Sequence, residues 1–455
     1  MSAIITDQLR ILNSENFVAG IASTTNSYYA WIGLPNPSDF QSDWSENPPA
    51  PKDSFSEEND YWDTMIALKK LNSDDIARVV RKISWSSGTT YEMYRDDYSR
   101  SNLSPQTSST NLYDTNYYVM NQNFRVYVCL QNGTNPENTS GRPSLDEPLF
   151  TDLEPRSAGA SGDGYIWKYL FTIDPNSIIK FDSTSFIPLP QNWSTNNDVA
   201  AVRNNASTSG QLKIVTITNR GVGYGTAATY NNVPIKGDGS GGRCSVVVNA
   251  AGKMDSVEIT NGGSNYTFGT VDLNAVGLTN PSGSTDAAFN VIIPPQDGHG
   301  ADIYRELGAN RVLIYSRLEN DTSNPDFITG NQFSRVGLCR DPLAFGSDNK
   351  LTLQKASAVY ALKLIGAGST TTTFTADSEV TQEIGIGSTA VGRVINYDAT
   401  TGVLKYWQDR RLAISTDGSI PSYGYELFRF NDDPATGAGT TIFGGTSNLN
   451  KDTNF

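Results

Sequence analysis

The sequence predicts a mainly β protein with a few helices (α+β), carrying an inserted duplicated β module and a small C-terminal β barrel or sandwich. Three observations predict it. Gly reaches 40 of 455 residues and charged residues only 18%, the composition of short strands joined by turns. Runs of β-branched and aromatic residues recur between Gly, Asn and Pro turns. One β pattern also returns at a fixed spacing of 42 residues: Val215–Asn219 reappears as Val257–Asn261, and Tyr224 as Tyr266.

In chain order, Asp7 to Ile21 places Leu9, Leu12, Phe17 and Ile21 as a short amphipathic helix. Tyr28 to Leu34 reads as an aromatic strand, followed by a Pro-, Ser- and Asp-rich loop to Ser54. Ser54 and Glu57 fit a capping box, Tyr61, Met65 and Leu68 an apolar stripe with Trp62 and Ile66 beside it, and Lys69 and Lys70 a basic last turn. That predicts a helix, broken at Asn72-Ser73, and Asp74 to Lys82 predicts a second with Ile76, Val79 and Val80 inward. Tyr117 to Leu130 predicts a hairpin turning at Asn121–Asn123, and 132–161 a long polar loop.

Ser161 to Ile173 follows, with Gly162-Asp163-Gly164 as a turn. Strand alternation then puts Tyr165, Trp167, Tyr169 and Phe171 on one face, and Ile166, Lys168, Leu170 and Thr172 on the other. Such a stripe is either sandwich core or a sugar-stacking platform. Ile178 to Leu189 predicts a strand pair. Residues 211–293 form the repeat module, in which Gly237–Gly242 is a turn rather than a phosphate or calcium loop, since it lacks a P-loop Lys-Ser/Thr and repeated acids. Tyr304–Gly308 precedes a strand from Arg311 to Arg317, and Phe333 to Pro342 closes that region. Strands at Tyr360–Ile365, Glu379–Ile384, Ala390–Tyr397 and Gly402–Trp407 make the C-terminal module, with a loose tail from Asn431. The predicted domains are therefore a core of 1–205 plus 294–345, the insert 211–293, and 346–455 with a flexible tail.

A net charge of -14 argues against nucleic-acid and anionic membrane surfaces, which select clustered Lys and Arg. The start lacks a signal-peptide pattern, and no apolar run reaches a membrane span. Three scattered cysteines (Cys129, Cys244, Cys339) do not make a disulfide framework. A single histidine, His299 in a Pro-, Gly- and Asp-containing loop, rules out His-rich metal sites and must serve any Ser-His or Cys-His device. No nucleophile elbow, Walker loop or C-x-x-C accompanies it, and no spacing singles out a carboxylate pair. The expectation is no catalytic, cofactor-binding or metal-ligating residue, and no cofactor.

Several segments together resemble a known family. Tyr28–Leu34, Tyr61-Trp62 with Met65, Arg78–Trp85, Val126–Leu130, Gly162–Phe171, and Pro294-Pro295 to His299-Gly300 through Arg335–Pro342 are similar to baseplate wedge subunits of T-even-like contractile-tailed phages, the gene product 8 family. The Gly162–Phe171 element is the most specific. The likeness spans roughly residues 1–205 and 294–345; the repeat module and the region after 346 depart from it. The resemblance implies a structural virion protein of the tail baseplate, assembled in the host cytoplasm, with a layered β-sandwich core. It implies a homodimer that joins wedge subunits of the gene product 10, 7 and 6 types and relays baseplate rearrangement on host attachment. The alternatives are a receptor- or carbohydrate-binding tail protein and, more weakly, a carboxylate-based glycan hydrolase.

Overall fold

The structure, a computed structural model, describes residues 6–33, 65–206, 210–317, 335–344, 348–352, 359–385, 388–408, 430 and 440–452. It is mainly β, with several antiparallel sheets and a closed six-stranded barrel. The chain divides into two compact units, Met1–Ala19 with Ile76–Tyr315, and Gly20–Asp75 with Ser316–Phe455. Residues 20–75 and 316–345 thus group with the C-terminal region, not with the core to which sequence continuity assigns them.

The N-terminal helix forms as expected, as α1 (Asp7–Ala22). In the first unit it buries Ile11, and Ser14 Oγ donates to Ala309 O at 2.7 Å. β3 (Ile76–Arg81) is the central strand of a three-stranded sheet, between β7 (Phe186–Pro188) and β14 (Arg311–Ile314). This corrects the helix expected over Asp74–Lys82, of which only a 3-10 turn, Ser73–Asp75, remains. Ile76, Val79 and Val80 fit helical spacing because a central strand covered on both faces buries nearly every side chain. The β-branched residues and partners from distant sequence decide for the strand.

The second sheet is β4 (Tyr118–Met120), β5 (Arg125–Asn132) and β6 (Tyr165–Thr172), in that order and antiparallel. The first two are the expected hairpin. After β6 the expected strand pair is instead α2 (Pro175–Phe181) followed by β7 alone. The start signal is local: Asp174 Oδ1 accepts from Ser177 N at 2.9 Å, and Pro175 occupies the first helical turn. α3 (Ala200–Asn205) and α4 (Ile303–Glu306) complete the helices described.

In the second unit β1 (Tyr28–Gly33) lies between β2 (Met65–Lys70) and β15 (Arg335–Arg340). β2 is a strand where the last turn of a helix was expected; the remainder of that helix, 54–64, lies outside the described residues. The barrel runs β16 (Tyr360–Ile365), β19 (Val403–Trp407), β18 (Ser388–Asp398), β17 (Glu379–Gly385), β20 (Thr441–Phe443) and β21 (Leu449–Lys451). β20 and β21 belong to the tail expected to be loose. They close the barrel because Ile442 and Leu449 bury in its core while their backbones pair with β17 and β16.

The insert has its own apolar cluster and a topology that explains the repeat. The first strand of copy one, β8 (Val215–Arg220), pairs with the last strand of copy two, β13 (Ala287–Val291). The first strand of copy two, β11 (Met254–Asn261), pairs with the last of copy one, β10 (Arg243–Val248), beside β9 (Ala228–Gly237) and β12 (Gly269–Val271). The copies have exchanged strands. Their turns match atom for atom: Asn219 Oδ1 accepts from Gly221 N at 2.9 Å, and Asn261 Oδ1 from Gly263 N at 3.0 Å. Both glycines have φ near +60°, and a Cβ on either would meet backbone within 2.6 Å. Tyr224 OH then accepts from Ala287 N at 2.8 Å, as Tyr266 OH does from Gly242 N at 3.0 Å. Each tyrosine pins the start of the other copy's last strand.

The insert's ends meet: Ile292 N donates to Ile214 O at 3.2 Å, and both residues bury in the main core. Replacing 215–291 with a short glycine linker is expected to leave a soluble first unit with one cooperative unfolding transition by circular dichroism. Aggregation or a non-cooperative melt would mean that the insert is part of the core.

Candidate functional site

A cluster of buried polar groups in the first unit surrounds His299. Its loop runs through Gly298 and Gly300, both at φ near +90°, and a Cβ on Gly300 would approach Val202 Cγ1 to 2.9 Å. Asp302 then caps α4 by accepting from Tyr304 N at 3.0 Å, which turns Glu306 back toward the loop. Glu306, 2% exposed, has both oxygens committed: Oε1 lies 2.7 Å from His299 Nδ1, and Oε2 accepts from Gly300 N at 2.7 Å. Tyr94 meets the imidazole edge-on at 4.7 Å between centroids. Tyr117 OH donates to Glu306 O at 2.5 Å, and Trp193 Nε1 donates to Ala301 O at 2.9 Å.

This geometry locks a loop. The Glu306 carboxylate, aligned on His299 as in an acid–base dyad, spends its second oxygen on the loop backbone. Burial raises the Cys129 thiol well above its ordinary range and pushes Cys244 and Cys339 up to about 11, which disfavours the thiolate form of each. Beside the knot lies a cleft of about 490 Å³, lined by Gln8, Ile11, Tyr94, Tyr113, Arg305 and Glu306 among others.

The aromatic stripe is core. Tyr165, Trp167 and Phe171 are at most 1% exposed. Tyr165 stacks on Trp167 at 5.2 Å, and Tyr91 N donates to Tyr165 OH at 2.8 Å. The register against β5 breaks at two places, at Leu130 on β5 and at Leu170 on β6. Val126 pairs with Phe171 but Tyr127 with Tyr169, so Leu170 forms a bulge beside Tyr169, which is half-buried. Tyr169 then packs on Tyr127 and bonds Thr172.

Two further buried charges were not singled out by sequence. Glu92 staples the loop that follows it, accepting from Ser104 Oγ at 2.5 Å and Gln106 N at 2.7 Å. Lys168 lies on β6, its Nζ on Leu153 O and Asn205 Oδ1, and burial lowers its ammonium to about 8. Lys168 was visible as a lysine inside an aromatic run; Glu92 and Glu306 carry no sequence signal, because their partners are polar side chains and backbone N–H groups rather than a spaced opposite charge. In the insert, Asp238 of the Gly237–Gly242 turn accepts from Thr267 N at 2.9 Å and Thr267 Oγ1 at 2.5 Å, which holds its carboxyl below the usual range.

No protein-family profile matches this chain, and no curated protein matches it in sequence. Among the described residues no three His, Cys, Asp or Glu side chains gather in a metal-binding arrangement, and no helix is long and apolar enough to cross a membrane.

Proposed function

We propose that the chain is a non-enzymatic structural subunit of a contractile-tail baseplate wedge. In this reading it is a homodimer in the virion, contacting wedge subunits of the gene product 10, 7 and 6 types. One observation carries the reading. Four of the segments that bear the family likeness, Arg78–Trp85, Val126–Leu130, Gly162–Phe171 and Pro294–Gly300, converge in one core although the insert separates the last from the others; two more, at Tyr28–Gly33 and Arg335–Arg340, pair with each other in the second unit. A wedge subunit must hold position while its interfaces rearrange, and buried charges tied to backbone suit a rigid core. The burial of Tyr165, Trp167 and Phe171 counts against a sugar-stacking platform at the stripe.

Co-expression with the neighbouring tail genes tests the proposal. The chain is expected to co-purify in a wedge complex and, alone, to sediment as a dimer at micromolar concentration. A strict monomer that captures none of the tail products would overturn it.

A further inference from the structure

Lys168 is 1% exposed, yet neither acceptor on its Nζ carries a charge: Leu153 O lies at 2.7 Å and Asn205 Oδ1 at 2.8 Å. A buried lysine is ordinarily paired with a carboxylate, because an unpaired buried charge is costly. Burial therefore eases loss of the proton and brings the titration of this ammonium down to about 8. The Asn205 carboxamide is held from its other side as well, since Nδ2 donates to Glu154 Oε1 at 2.8 Å. Lys213 Nζ fixes Glu154 Oε2 at 3.0 Å and, with Asn205, keeps that carboxyl below its usual range, hence ionised. An amine, a carboxamide and a carboxylate thus stand in sequence on β6, on the end of α3 and on the loop at Leu153-Glu154.

We propose that Lys168 and Asn205 are the two halves of a self-forming intramolecular amide cross-link, with Glu154 as its proton carrier. The Nζ lone pair adds to Asn205 Cγ, and the carbonyl electrons move onto Oδ1. Glu154 takes the proton released from Nζ and hands it to Nδ2. The Cγ–Nδ2 bond then breaks and ammonia leaves. One C–N bond forms and one breaks, so neither oxidant nor reductant is needed. Nζ already contacts Oδ1 of the same carboxamide at 2.8 Å, and attack requires it to close on Cγ to roughly 3–3.5 Å. Of the charges near Lys168, Glu306 and Glu154 favour its ammonium and Lys213 opposes it, while burial outweighs all three. The product would staple α3, the last helix before the insert, to β6, the edge strand that carries the stripe.

The test uses the purified full chain, incubated about one pH unit above the Lys168 titration so that the amine is largely neutral. Its intact mass is expected to fall by one ammonia. Proteolysis should release a branched peptide that joins the Lys168 and Asn205 segments. Cyclisation of Asn205 onto its own backbone also sheds ammonia but needs no lysine, so Lys168→Arg must abolish the loss. Asn205→Ala, at a half-exposed helix end, should abolish it too, and Glu154→Gln should slow it by about a hundredfold. A chain folded by circular dichroism that keeps its full mass and yields only linear peptides overturns the proposal. Ammonia loss that persists in Lys168→Arg does the same.

Discussion

Trp167→Ala is expected to destabilise the first unit by about 3–5 kcal/mol, the range for truncating a large buried aromatic. Trp167 is fully buried, stacked on Tyr165 and met edge-on by Tyr91 at 5.9 Å. The Tyr165 hydroxyl links the Tyr91 backbone to Arg142 O at 2.7 Å, so a cavity here would loosen two loops as well as the strand. Trp167→Phe should behave differently. The indole Nε1–H is buried and, among the described residues, finds no acceptor, a defect that costs about 1–3 kcal/mol. Phenylalanine removes that donor while keeping most of the ring, so its cost should fall well below that of alanine. Urea unfolding followed by circular dichroism reads both variants. An alanine variant with an unchanged midpoint would remove the stripe from the core, and equal costs for Phe and Ala would refute the orphaned donor.

The stripe also marks how far the sequence could be read. Alternation from Tyr165 to Phe171 correctly implied a strand with an aromatic face, because period two leaves little choice once a glycine turn sets the start, but it left core and sugar platform open until burial separated them. It missed the bulge at Leu170, which is set by the register against β5, a partner chosen through tertiary pairing. The same limit explains β3. Ile76, Val79 and Val80 satisfy helical spacing and double-sided burial equally, and only β7 and β14, far along the chain, separate the two. Ile178 and Ile179 suit a strand by propensity, but α2 is started by Asp174 and Pro175, just upstream of the segment read as strands. In the insert, the 42-residue spacing exposed the duplication. It could not expose the exchange of strands, because swapped and unswapped copies have the same pattern. The polar knot was the least legible. His299 stood out only by being the single histidine, and its partner Glu306 sits on a one-turn helix with no periodicity to betray it.

Glu306→Ala should cost about 3–5 kcal/mol, as expected when one member of a buried hydrogen-bonded pair is removed. Two groups would be left stranded, the His299 ring and the Gly300 N–H, in a loop whose backbone already occupies positive φ on both sides of the histidine. Glu306→Gln is the informative control. A carboxylate only accepts, so in the parent protein His299 Nδ1 carries a proton whether the ring is neutral or charged. Glutamine offers one acceptor and one donor to the same two neighbours. Gly300 N–H can only donate, so the glutamine oxygen must face it and its NH2 must face Nδ1. The imidazole must then move its proton to Nε2. With a single histidine in the chain, long-range nitrogen-15 correlation of the ring reads this tautomer directly. The parent should show Nδ1 protonated and the Gln variant Nε2–H, with a stability loss well below that of Ala. A Gln variant that retains the Nδ1–H ring would break the assigned bond pattern. An Ala variant as stable as the parent would mean that the knot does not hold the loop.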